Sequence, residues 1–164
     1  MAFNNNANRG FKKNGNNKNA QNNRPKPIKI TVALNTMFGV TDRNGNFTEV
    51  DQSECLDVLD SLCQCNVFNL MNVTVSMNRS LYDNDNTKKG TMTVGVINDI
   101  GYFNADEGDD DYDVLKAELT IFGSSAETIS KIMESKNLIL DCKVKADREG
   151  KFQRFTSFNL VVDK

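Results

Sequence analysis

The stretch ELTIFGSSAETISKIMESKNLILDCKVKADREGKFQRFTSFNLVV, residues 118–162, decides the fold of this chain. Apolar and polar residues alternate over 114–122, which predicts a strand. Ser124 and Glu127 have the spacing of a capping box, and the apolar face that follows them predicts a helix. A strand, a turn and a second strand are predicted next, over 138–145, 147–150 and 152–162. The last third of the chain therefore has the order strand, helix, strand, turn, strand.

Two more strands are predicted upstream, over 68–77 and 91–100, with a long polar turn at 82–90 between them. Gly95, in the middle of the second of these strands, is typical of a strand that bends around a barrel. Residues 66–164 thus have five predicted strands, with one helix between strands 3 and 4. That order predicts a mainly β protein with a five-stranded OB-fold barrel over 66–164, a fold that binds oligonucleotides and oligosaccharides.

Residues 28–65 are predicted to form an extension ahead of the barrel. The extension begins with a hairpin made of a strand, an Asn-Gly turn and a returning strand: 28–40, 42–46 and 47–50. A short helix with an apolar stripe follows, capped by Asp51 or Ser53 and extending to about Cys65. Three roles are open for this module: it covers a barrel mouth, forms an oligomer contact, or only adds core.

The charge of the chain is divided very unevenly. Residues 1–27 hold six of the 20 basic side chains and none of the 22 acidic ones, so the remaining residues carry 14 basic and 22 acidic groups. This Asn-rich segment has few apolar side chains and is predicted to be a disordered basic arm. The arm either neutralises phosphates non-specifically or acts as a solubilising tail.

Several classes of site are disfavoured by composition. The chain has no histidine and no Gly-rich phosphate loop, so we do not expect an enzyme. Six carboxylates lie in an acidic loop at 104–113, but Val114 stands where a calcium loop requires glycine, which favours a solvated loop. The four cysteines, Cys55, Cys63, Cys65 and Cys142, lack the spacing of a zinc site and are expected to be reduced thiols. We therefore expect no metal and no cofactor.

No apolar run in the sequence approaches the length of a bilayer span, and the N-terminus lacks the apolar region of a secretory signal. Cysteines in a chain without an export signal favour a reducing compartment. The expected location is therefore cytoplasmic, with no membrane partner.

Short motifs in the barrel region resemble those of the bacterial and phage single-stranded-DNA-binding proteins. The matching residues are Ile121-Phe-Gly123, Ala126-Glu127 at the start of the helix, Arg154-Phe-Thr156, and Leu160-Val-Val162. The resemblance covers roughly residues 66–164 and is best over 115–162. It implies an OB-fold that stacks bases on aromatic rings and neutralises phosphates with cations.

The sequence also departs from the pattern of that family. It has no tryptophan, and Lys116 stands where a stacking tryptophan would sit. The chain ends Val162-Asp163-Lys164 in place of the acidic tip that recruits replication partners in that family. These departures indicate a divergent member, encoded by a phage or a plasmid and acting in the cytoplasm of the bacterial host.

The resemblance implies a non-catalytic, sequence-tolerant binder of single-stranded DNA that acts in replication or recombination, with RNA as a second possible ligand. We expect a homo-oligomer that contacts replication or recombination proteins. The expected nucleic-acid-binding residues are four aromatic residues and eight cations: Tyr102, Phe103, Phe122 and Phe152; Lys88, Lys89, Lys116, Lys143, Lys145, Arg148, Lys151 and Arg154. The alternative is a structural or assembly protein, for example of a virion, that reuses an OB-fold, because a polyanion binder rarely has an acidic body.

Overall fold

The computed structural model describes residues 24–103 and 114–163. The arm predicted to be disordered lies almost wholly outside these residues, as does the acidic loop at 104–113. The described strands are β1 Ile28–Leu34, β2 Gly39–Thr41, β3 Phe47–Glu49, β4 Thr74–Asn78, β5 Thr91–Phe103, β6 Val114–Ile121, β7 Leu138–Ala146 and β8 Phe152–Val162. The described helices are α1 Gln52–Gln64, α2 Val67–Met71, α3 Arg79–Tyr82 and α4 Gly123–Met133.

Six of these strands close into a barrel in the order β1-β6-β5-β4-β8-β7. The protein is therefore mainly β with a barrel, as the sequence predicted, but the barrel has six strands where five were expected. The sixth is β1, which pairs antiparallel with β6 and parallel with β7. The barrel therefore includes β1, which belongs to the predicted extension at 28–65, together with five strands from residues 66–164.

The segment 68–77, predicted to be one strand, is divided between a helix and a strand. Asn66 and Asn72 adopt left-handed backbone conformations, with φ of 53° and 48°, and they bound the single helical turn α2. Phe68 of that turn is buried, whereas Leu70 and Met71 are exposed, so only β4 keeps the predicted alternation, with Val75 and Met77 buried. The two predicted helices correspond to α1 and α4, and the described part of the chain has two further short helices, α2 and α3.

The cap of the predicted barrel helix also differs. Phe122 occupies the N-cap of α4 and makes no side-chain capping hydrogen bond, so the Ser124–Glu127 capping box is wrong. Glu127 instead pairs with Lys131 one turn later, at 2.6 Å. At α1 the prediction is confirmed, because the Asp51 carboxylate accepts hydrogen bonds from the backbone N–H groups of Ser53 and Glu54.

The two ends of the barrel are each covered by a helix. The lower end, defined by the start of α4, receives Ala126 and Ile129 of that helix. The upper end, defined by the turn between β7 and β8, is covered by α1, whose Cys55 and Leu59 are fully buried. The Cys63 thiol donates to the carbonyl oxygen of Ile100 in β5 at 3.0 Å. Of the roles left open for residues 28–65, the structure shows that this module covers a mouth and adds core.

Candidate nucleic-acid interface

The β7–β8 hairpin projects past the barrel wall at the upper end. β8 pairs with β4 only through Phe158–Leu160, and β7 pairs with β1 only through Ile139 and Leu140. The turn at the tip is ordered by Asp147, whose carboxylate accepts the backbone N–H groups of Glu149 and Lys151 at 2.9 Å each. β2 lies beside β7, so the hairpin is exposed chiefly along the β8 edge, at the turn and through its outward-facing side chains.

The outer face of the hairpin is cationic. Lys145 lies directly opposite Arg154 across the ladder, and Lys143 lies opposite Ser157. Arg148 and Lys151 are exposed in the turn and just after it. Within the described residues, the ion pair of Lys151 with Glu149, at 3.8 Å, is the only one that involves the hairpin cations. We define the outer cation face as Lys143, Lys145, Arg148, Lys151 and Arg154.

The inner face of the same hairpin carries a row of phenylalanines. Phe155 has its ring centroid 5.0 Å from that of Phe152 and 5.8 Å from that of Phe158. The row continues to Phe68 of α2, 5.8 Å from Phe158, and Phe38 packs on Phe155 at 5.9 Å. Phe152 and Phe155 are half-buried, whereas the other three rings are buried.

This row lines a groove of about 680 Å³ between β8 on one side and the helices α1 and α2 on the other. All residues from Phe152 to Phe158 line it, so β8 presents its edge as well as its rings. Across the groove stand Glu54, Val58 and Leu62 of α1. Arg154 reaches both the groove and the outer cation face.

The phenylalanine row was missed in sequence reasoning because two register shifts interrupt the ladder. Lys143 pairs with Ser157 and the next residue, Val144, pairs with Phe155, so Thr156 is left without a partner on β7. Lys145 likewise pairs with Arg154 and Ala146 with Phe152, which leaves out Gln153. Each shift leaves one extra residue in β8, as in a β-bulge. Phenylalanines spaced three apart therefore fall on one face, although a strict period of two would put Phe155 on the opposite face. The repeated three-residue spacing was the available signal.

The predicted binding residues fall into separate regions. Phe152 and the outer cation face are together on the hairpin, as predicted. Lys88, Lys89 and Phe122 lie instead at the lower end, where the backbone N–H of Phe122 donates to Val94 near the start of β5. Phe122 is 38% exposed there.

The remaining predicted residues lie near the upper end of the sheet. Lys116 is half-buried on β6, opposite Gly101 of β5. Tyr102 and Phe103 end β5, and their side chains lie outside the described set. Of the predicted binding residues whose side chains are described, Phe152 and the five hairpin cations form one cluster, Lys88, Lys89 and Phe122 form a smaller group at the lower end, and Lys116 lies apart on β6.

The described residues contain no group of three or more Cys, Asp or Glu side chains placed to hold a metal ion. The four cysteines are free thiols. Burial raises the pKa of Cys55 to about 11, and Glu54 and Asp51 add to the shift. Burial also raises the pKa of Cys142, so neither thiol supplies a nucleophile near neutral pH.

Comparisons of this chain with protein-family models, with curated proteins and with solved structures find no match. Within the described residues, no helix is long and apolar enough to cross a membrane. Cations on the outer face of the hairpin suit a polyanion, and Phe152, at the rim of the groove, is the aromatic ring nearest to them along β8.

Proposed function

We propose that this chain is a non-catalytic protein that binds single-stranded DNA without strong sequence preference. The observation that carries the proposal is the outer cation face, because four of its five members make no ion pair with any described residue. Exposed cations on one projecting hairpin attract phosphates, even though the body of the protein is acidic overall. Phe152, half-buried at the rim of the groove, is the base-stacking residue closest to these cations along β8.

The order of elements supports assignment of the barrel to the OB type. The meander β4–β5–β6, the helix α4 and the hairpin β7–β8 follow one another as the strands and helix of that fold do, with β1 as an added sixth strand. On this assignment and on the motifs at 121–123, 126–127 and 154–162, we propose that the protein is a divergent relative of the bacterial and phage single-stranded-DNA-binding proteins. Its role would then be in replication or recombination in the cytoplasm of a bacterial host, as a phage- or plasmid-encoded homo-oligomer.

Fluorescence anisotropy with labelled oligo-dT, measured at low and at higher salt, tests this function. If five phosphates are neutralised, affinity should fall by about 100-fold between about 50 mM and about 200 mM salt. A matched oligo-U strand measures the preference between DNA and RNA. Absence of binding to both strands at low salt would refute the proposal.

A second candidate function is that of a structural or assembly protein. Leu70 and Met71 of α2 are 72% and 71% exposed side by side, which is unusual for large apolar residues and is typical of a contact surface. Stable assemblies whose formation and mass are unaffected by oligonucleotides would favour this candidate over DNA binding.

A further inference from the structure

A second, shallower groove lies on the outer side of the hairpin, where the two-stranded ribbon β2–β3 runs beside β7. It measures about 240 Å³, and its lining includes Met37, Phe47 and Lys143. We call it the ribbon groove. Lys143 also belongs to the outer cation face, so the groove and that face form one continuous surface. The volume is below the roughly 300–1,000 Å³ of an enclosed small-molecule pocket, which suits one planar ring of a longer molecule.

Two large apolar side chains are exposed in the ribbon groove. Met37 is 63% exposed and Phe47 is 51% exposed, more than any other phenylalanine whose side chain is described. Single apolar residues on a surface need no explanation, but apolar residues that line one groove together are typical of a binding site. Methionine is flexible and polarizable, so Met37 can adapt to a ring placed against it.

The ribbon fixes the position of the Phe47 ring. Gly39 pairs with Glu49 and Thr41 pairs with Phe47, so these four residues lie on one face of the ribbon. The tip of the Phe47 ring lies over Gly39, in the space that a Cβ at this position would need. Phe38 precedes Gly39 and is fully buried, which sets the alternation of the strand. One side of the Phe47 ring is therefore held against the ribbon backbone, and the other side is open to a ligand.

The turn of the ribbon repeats the turn of the β7–β8 hairpin. Asp42-Arg-Asn-Gly45 and Asp147-Arg-Glu-Gly150 share three of four residues, and each aspartate accepts the backbone N–H groups two and four residues later. The two turns line a common cavity, so they lie side by side. Arg43 thus holds in its turn the position that Arg148 holds in the other, and it is exposed and forms no ion pair with any described residue. It extends the cationic surface across both turns.

Two carboxylates lie near the ribbon groove. Asp141 lines it and accepts a hydrogen bond from the side-chain amide of Asn35 at 2.9 Å. The side-chain oxygen of Asn35 in turn accepts the backbone N–H of Met37 at 3.1 Å, so Asp141 anchors the loop that carries Met37. Glu49 lies at the end of β3 farther from the turn and is not among the lining residues. A strand whose phosphates follow the outer cation face toward the turns moves away from both carboxylates.

We propose that the ribbon groove is a base-binding subsite: a nucleobase of the single strand stacks on Phe47 beside Met37, while the adjoining phosphates lie along Lys143, Lys145 and Arg154. Stacking on a phenylalanine is tolerant of sequence, because every base has an aromatic face. This inference rests on the proposed function and adds to it a ring on the same side of the hairpin as the cations. Phe152, by contrast, lines the groove on the opposite side.

A tryptophan reporter tests the subsite directly. The chain contains no tryptophan, so Phe47→Trp introduces a single indole, and Met133→Trp, on the helix α4 of the lower end, is the matched control. Oligo-dT should quench the emission of Phe47→Trp as it binds and leave that of Met133→Trp unchanged. An abasic strand of equal length should bind through its phosphates without quenching. Equal quenching in the two variants, or bound oligo-dT without quenching of Phe47→Trp, would overturn the proposal.

Affinity measurements separate stacking from a structural role of the ring. Phe47→Leu keeps an apolar contact with Gly39 but has no aromatic face, so it should bind oligo-dT about fivefold or more weakly, with an unchanged salt slope. Phe47→Tyr and the control Met133→Leu should bind as the natural chain does. With the abasic strand, Phe47→Leu and the natural chain should have equal affinity. Circular dichroism checks that each variant is folded.

The outcomes distinguish this inference from the function on which it rests. If the natural chain fails to bind oligo-dT at low salt, the proposed function is wrong and the subsite with it. If the natural chain binds and Phe47→Leu binds equally well, only the subsite is wrong. A change in sedimentation coefficient of Phe47→Leu with unchanged affinity would also overturn the subsite, because the exposed ring would then be a contact between copies of the chain.

Discussion

Removal of Lys143 and Lys145 should separate nucleic-acid binding from stability. Both side chains are exposed on β7, and Lys145 faces Arg154 directly across the ladder. Like charges in that position repel each other, so the double variant K143A/K145A should unfold no more easily than the natural chain. The expected gain in the free energy of unfolding is roughly 0.2–1 kcal/mol, nearer the lower limit because the side chains are solvated.

The effect on binding should have the opposite sign. Each cation that neutralises a phosphate of a single strand contributes about 0.7 to the slope of log affinity against log salt. Loss of two such contacts should lower the slope by about 1.4, so the drop in affinity between about 50 mM and about 200 mM salt becomes about 20-fold rather than about 100-fold. The affinity at low salt should fall as well.

Anisotropy titrations with oligo-dT at four or more salt concentrations, paired with urea unfolding, measure both quantities. The matched control is K29A/K136A, which removes two exposed lysines that lie near the lower end of the barrel. Equal slopes in the two double variants would contradict this prediction, because binding would then respond to net charge and not to the hairpin. A slope unchanged from the natural chain in K143A/K145A would also refute it.

Three further predictions concern the scaffold. Gly95→Ala should cost about 1–3 kcal/mol in urea unfolding because a Cβ there overlaps the backbone of β6, whereas Gly101→Ala, with open space around it, should cost far less. Asp51→Ala should lower the melting temperature by about 2–4 °C at neutral pH through loss of the α1 cap. Hydrogen bonds, first from the Ser53 hydroxyl, lower the pKa of Asp51, so this difference should persist until the pH falls through that lowered pKa and should then disappear. The Cys55 thiol is buried and its pKa is raised to about 11, so it should resist alkylation at pH 8 until the protein unfolds. The exposed Cys65 should be alkylated at once, and mass spectrometry measures both reactions.

Some of this architecture follows from local sequence alone. The alternation of apolar and polar residues predicted β5 to β8 closely, and the Asp-Arg-Glu-Gly turn at 147–150 predicted the hairpin that carries the candidate site. The concentration of cations on that hairpin was also readable, because alternate residues of a strand share a face. These features depend on neighbours in the chain, so one sequence is enough to specify them.

The candidate site as a whole depends on contacts between distant segments. β1 closes the barrel by lying between β6 and β7. The local sequence of residues 28–34 predicts a strand but does not indicate which strands it pairs with. The separation of Lys88, Lys89 and Phe122 from the hairpin likewise follows from strand direction in the barrel, which local periodicity does not contain. Sequence reasoning grouped them with the hairpin because all of them lie at strand ends.

The sequence by itself determined a β barrel with a terminal hairpin, the charges of that hairpin and a basic arm on an acidic body. Only the tertiary structure decided that the cations and the phenylalanines lie on opposite faces, and that α2 interrupts β4 and leaves the edge of β8 open. The reason is physical: hydrogen-bond partners and bulges in a sheet are chosen by packing against distant strands, whereas periodicity and charge are properties of the local chain.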